Sequence, residues 1–240
     1  MFPDSVRKML LAWAIPLIFA SYFGTLAYAA VVSPMTYDWR YRVISNLISP
    51  RNNPEFHWIP SFGIAIAGLL MIPFTSYIHA RLRFASQLGA NIGTIAFVSG
   101  TILLILAGLI VPQSSHLNSG SPRLHEMLGR AAALGLGVGM VTFCLCALRG
   151  YLFPGPGKKL FKRELLVSWI LVTMIPLVGA ALSGCLFLSA SAHFPWSHGL
   201  HQALKTSIVW HLSFWEWIGS VAVFLFLLSS ALFLPDRVDS

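Results

Sequence analysis

The sequence predicts an all-α polytopic membrane protein, a bundle of six transmembrane helices. Three observations carry that expectation. Of the 240 residues, 56% are hydrophobic and only 10% charged, whereas a soluble domain is charged at about a quarter of its positions. Mean hydropathy is +0.73. Apolar runs long enough to cross a bilayer recur between short polar connections. No polar block is long enough to be a second domain, so residues 1–240 read as a single transmembrane domain.

The first span is expected at about 9–32, behind Arg7 and Lys8. Ala27-Tyr28-Ala29 imitates a signal-peptidase site, but the apolar run is longer than a signal core, which favours retention. Residues 33–56 are polar and rich in Pro and Asn, so they read as an ordered loop with one helical turn at Val43–Ile48. Span two, about 57–78, opens on His57-Trp58 and closes on His79-Ala-Arg81-Leu-Arg83. Span three, about 88–111, carries Gly89, Gly93, Gly100 and Gly108, small residues that let helices approach closely in lipid.

A Pro/Ser/Asn/Gly-rich loop follows, and span four, about 124–149, repeats the small-residue pattern with Gly135, Gly137 and Gly139. After a Pro/Gly turn and a basic run comes span five, about 164–190, with Pro176 expected to kink it. A histidine-rich connection leads into span six, about 207–234. Cys144, Cys146 and Cys185 fall inside apolar runs and read as small hydrophobes. Neither zinc-finger spacing nor a C-x-x-C-H haem attachment is present.

The 16 Lys+Arg against 8 Asp+Glu are scattered through loops rather than gathered on one face. That distribution fits topology signals and anionic lipid, making the bilayer the expected partner and nucleic acid not one. Ten of the basic residues fall on the side of the termini and six on the other. The termini are therefore expected in the cytoplasm of a cell-membrane protein. Trp39, Trp58, Trp196 and Trp210 lie near the opposite boundary, as an interfacial aromatic belt would.

Seven of the eight histidines, all but His79, belong to that opposite face, together with Asp38, Glu55, Glu126 and Glu216. Ionisable groups near lipid usually have partners or a task. His57, His125 and His211 come from different spans, and with Glu126 or Glu216 they make an expected zinc set with one open position. Such a zinc would activate water for hydrolysis of a lipid-like substrate, Glu216 or Glu126 acting as catalytic base or ligand.

Two alternatives stand beside it. Histidines from two spans, His125 or His57 opposite His211, could ligate a b-type haem in a quinol-linked subunit working with partner membrane subunits. Alternatively the chain is a non-catalytic scaffold or small-molecule binder. The plain alternatives for single residues are equally definite. Glu126 and Arg130, four apart, can simply pair. His198 and His201 suit a wet interfacial face, and His116 a solvated loop. Glu216 has no basic residue in its own span and needs a partner from elsewhere, with Arg130 or a loop arginine the obvious candidate.

The order of features resembles the domain-of-unknown-function 998 family of six-span membrane proteins. The resemblance rests on Tyr37 or Tyr41 leading to Ile44-Ser45-Asn46-Leu47, the Pro-containing stretch before span two, Ile110-Val111-Pro112, Leu124-His125, and Phe214-Trp215-Glu216-Trp217-Ile218-Gly219. Asn46 stands where that family often has an acidic residue, and Trp217 where a basic one is common. The resemblance implies a six-span fold and marks His125, Ser45 and Glu216 as positions to test; it implies no activity.

Overall fold

The computed structural model describes residues 4–34, 36–110, 121–153, 161–191, 195–204 and 206–235. It is all-α, with no strand among the described residues. Six helices are long and apolar enough to cross a membrane: α1 Arg7–Val32, α2 Trp58–Leu82, α3 Gln87–Leu109, α4 Leu124–Leu152, α5 Arg163–Leu186 and α7 Leu212–Phe233. Between the last two lies α6, Pro195–Leu204, a short amphipathic helix with Trp196 and Leu200 exposed.

The expected spans agree with these helices except at the last. There the chain makes one tight turn, Ile208–Trp210, and passes through His211 in extended conformation before α7 begins at Leu212. His211 is thus the residue before the helix, and Glu216 lies just over one turn inside it. Helix α1 also departs from regularity, widening to i→i+5 turns at Leu10–Ala14 and Ala20–Gly24. The first precedes Pro16, whose missing N–H and ring disturb the turn before it. Residues 36–57 form the expected ordered loop, with its single helical turn at Ile44–Asn46.

Lipid tails are as apolar as leucine, so close packing rather than water exclusion must hold these helices together. The glycines supply it. A Cβ on Gly100 would lie 2.5 Å from Leu136 N, and one on Gly139 would lie 2.7 Å from Phe97 Cβ, so α3 and α4 touch backbone to backbone. Gly63 does the same for α1 and α2, where a Cβ would meet Ser21 O at 2.2 Å.

The termini end of the bundle is packed solid. Phe226 of α7 meets Trp169 of α5 at 4.5 Å, Phe97 of α3 at 6.3 Å and Phe143 of α4 at 6.4 Å between ring centroids. Helix α7 ends nearby, and its last carbonyls have no partners in their own helix. Arg7 Nε donates to Ala231 O at 2.9 Å and its Nη2 to Leu232 O. Arg81 Nε donates to Pro235 O at 3.0 Å while its guanidinium lies 3.5 Å over the Tyr77 ring. Arg81, expected only to close span two, is 95% buried by this arrangement, at 5% exposure. Two cations from other helices therefore cap the negative end of the α7 dipole.

Candidate functional site

The opposite half of the bundle is hollow. A cavity of about 320 Å³ lies beneath the 36–57 loop, with walls from all six spanning helices and a roof from Ile44, Ser45 and Ile48. That volume falls in the range of small-molecule sites. Its polar groups gather at the roof: Ser45, His125 on the first turn of α4, and Glu216 near the start of α7. Tyr22 and Ser220 follow, about one turn deeper. The floor is mainly apolar, made by Ile18, Met71, Met140 and Leu227, with the Thr173 hydroxyl there 3.5 Å from Cys144 Sγ. Along α4 the lining runs from His125 to Met140, about 22 Å at 1.5 Å per residue.

Each polar group is held by its own network. Glu216 Oε2 accepts the Ile44 N–H at 2.9 Å, so the carboxylate fixes the roof. Ser220 Oγ donates to Glu216 O at 2.8 Å, which commits its only hydrogen. The Tyr22 hydroxyl, 2.8 Å from Ser220 Oγ, is therefore the donor in that contact. His125 Nδ1 lies 2.9 Å from Ala107 O and 3.0 Å from Ile110 O. Both partners only accept, so Nδ1 carries a proton and caps the end of α3.

The loop is pinned to the start of α7 at several further points. Trp217 Nε1 donates to the Tyr37 hydroxyl at 3.1 Å, and that hydroxyl donates to Arg42 O at 2.8 Å. Ser213 Oγ donates to Arg40 O at 2.8 Å. The Tyr41 ring meets His211 edge to face at 4.8 Å. Burial pushes the Tyr37 phenol up to about 12, against the stabilising Trp217 hydrogen bond. Hydrogen bonding to Arg40 holds the exposed Asp38 carboxyl below its ordinary range.

The structure separates the residues that the sequence groups together. Among the described residues, no three of His, Cys, Asp or Glu come close enough to hold a metal. The donor set of His57, His125 and His211 therefore does not fit the expected zinc. His57 Nδ1 bonds Pro54 O at 3.2 Å, His211 packs on Tyr41, and neither lines the cavity. The bis-histidine haem reading needs His211 opposite His57 or His125, and only His125 reaches the cavity.

Glu126 points away from the cavity, into an exposed pair with Arg130. That pair corrects a second expectation: Arg130 is occupied, and Glu216 is held by a backbone N–H instead of a cation. His116 and His193 lie outside the described residues, as do the side chains of His198 and His201.

Sequence reasoning missed Tyr22, Ser220 and the glycines of the cavity wall. Ser220 is four residues after Glu216 and so shares its helix face, a signal that was present. Tyr22 offered none. A Cβ on Gly129 or on Gly219 would meet nothing within 4 Å, so these two border open space while Gly100 and Gly135 serve packing.

Comparisons with protein-family models, with curated proteins and with solved structures find no match. What fold and site define is a class: a six-span helical membrane protein with an internal cavity, polar at one end and apolar at the other.

Proposed function

We propose that the cavity binds a lipid-like molecule, its polar end at Ser45, His125 and Glu216 and its chain directed toward Met140 and Leu227. The supporting observation is the polarity gradient along one cavity, with most hydrogen-bonding groups at the roof and mainly aliphatic side chains at the floor. Burying a polar end without partners is costly in such surroundings, and these groups supply partners where the ligand head would sit. On this proposal the protein is a binder of an amphiphile, and the termini lie in the cytoplasm because they share the side richer in Lys and Arg. The likeness to the domain-of-unknown-function 998 family would then reflect a shared joint between the Ile44–Leu47 turn and the Trp215-Glu216 start of the last span.

Gly219→Leu tests the reading, since its side chain would enter the open space without displacing packed atoms. Wild-type protein is expected to be stabilised in detergent by added long-chain fatty alcohol, and Gly219→Leu to lose that response while still folding. Equal thermal shifts in both proteins would overturn the proposal. Maleimide labelling of a cysteine introduced at Ser240 in intact cells checks the orientation; labelling by an impermeant reagent would reverse it.

A further inference from the structure

The cavity is closed above and open at the side. Ile44 and Ile48 of the roof are buried, at 8% and 3% exposure. The seam between α1 and α7 is shut by Phe23, whose ring meets Phe224 at 6.0 Å and Trp217 at 6.4 Å. The seam between α5 and α7 is shut by Trp215, which lies against Gly179 so closely that a Cβ there would fall 1.8 Å from the ring. Between α4 and α5 the wall is different. Ala133 and Ala180 line the cavity and keep much of their surface unpacked, with Gly129 beside them, while deeper in the seam Leu177 reaches Gly137, where a Cβ would fall 3.3 Å from its Cδ2.

That gap faces hydrocarbon. Ala133 is three residues beyond Arg130, about 4.5 Å along the axis, at the start of the uncharged run 131–148, so the gap opens just inside the edge of the hydrocarbon layer. Whatever passes there arrives as a bilayer solute. Its polar end must pass the hydrocarbon rim of the gap, which disfavours a permanently charged head. The roof offers one open acceptor, Glu216 Oε1, to which no described residue donates, with His125 beside it in the cavity wall.

Building on the binding reading above, we propose that the α4–α5 gap is a lateral portal through which an uncharged lipid alcohol enters from the bilayer, its hydroxyl donating to Glu216. The probe is a long-chain fatty alcohol with a terminal diazirine, added to the protein in phosphatidylcholine vesicles and mapped by mass spectrometry after illumination. Wild-type protein is expected to be labelled on the peptide containing Met140. A quaternary-ammonium analogue of the same chain is expected to label it about tenfold less, the equivalent of roughly 1.4 kcal/mol.

Ala133→Phe and Ala180→Phe, singly and together, are expected to slow labelling by about tenfold. Both positions face lipid, so each single variant should fold even where the pair does not. Full-rate labelling of the folded plugged variants would overturn the portal, and equal labelling by the charged analogue would overturn the ligand class. Absence of wild-type labelling at Met140, with Gly219→Leu no different, would instead remove the binding reading on which both rest.

Discussion

Glu216 Oε2 and Ile44 N are 2.9 Å apart across 172 positions of sequence, and this one bond joins the last span to the roof of the cavity. A carboxylate accepting a backbone N–H makes a charge-assisted bond, and Ile44 has little alternative for its donor beneath the loop.

Replacing Glu216 by Leu should therefore cost about 2 kcal/mol and loosen the loop, while Glu216→Gln, which keeps an acceptor, should lose much less. Trypsin reports the difference directly, because Arg40, Arg42 and Arg51 lie in the loop. Faster cleavage at these sites in the Leu variant, and near wild-type rates in the Gln variant, is the expected pattern. Equal rates in all three proteins would detach Glu216 from loop docking.

Tyr37 adds a pH dependence. Its phenol is raised from 10.0 in the unfolded chain to about 12 in the fold, so the neutral form is the one the fold favours. Its contribution is complete below pH 10 and is lost as pH rises toward 12. Loop protection from proteolysis should hold to pH 10 and then decline, and Tyr37→Phe should flatten that part of the profile. Ultraviolet titration of phenolate absorbance, wild type against Tyr37→Phe, checks the assignment independently.

The glycines should divide into two classes. Gly100→Val would drive a side chain into the α4 backbone and should destabilise by about 3 kcal/mol. Gly129→Ala, which meets open space, should change stability little. Thermal unfolding in one detergent separates them, and comparable losses for both would mean that the cavity beside Gly129 is not open.

Arg81 tests the capping of α7. Arg81→Met keeps much of the volume but removes the donors to Pro235 O and Tyr77 O and the cation over the Tyr77 ring. A loss of about 2–3 kcal/mol is expected. Arg83→Met, at an exposed neighbour, should be nearly silent in the same melt.

How far the sequence could be read differs by residue. Glu126 and Arg130 pair as their spacing foretells, because partners four apart on a helix meet whatever the tertiary fold. Gly100 and Gly135 pack as small residues in lipid should. The histidines misled, since sharing one face of a membrane says nothing about distance within that face. His57 settled against a local partner, Pro54 O, and His211 against the Tyr41 ring of the distant 36–57 loop. Of these three only His125 turned inward, because the carbonyls ending α3 needed a donor there.

By itself the sequence determined the class of the protein, the approximate spans and the ordered loop, because hydrophobic length, glycine content and turn residues act locally. Only the tertiary structure decided that Arg7 and Arg81 cap α7, that the loop docks on Glu216, and that one half of the bundle is solid and the other hollow. Those outcomes depend on which helix faces meet, and contacts between residues far apart in the chain leave no periodic trace in it.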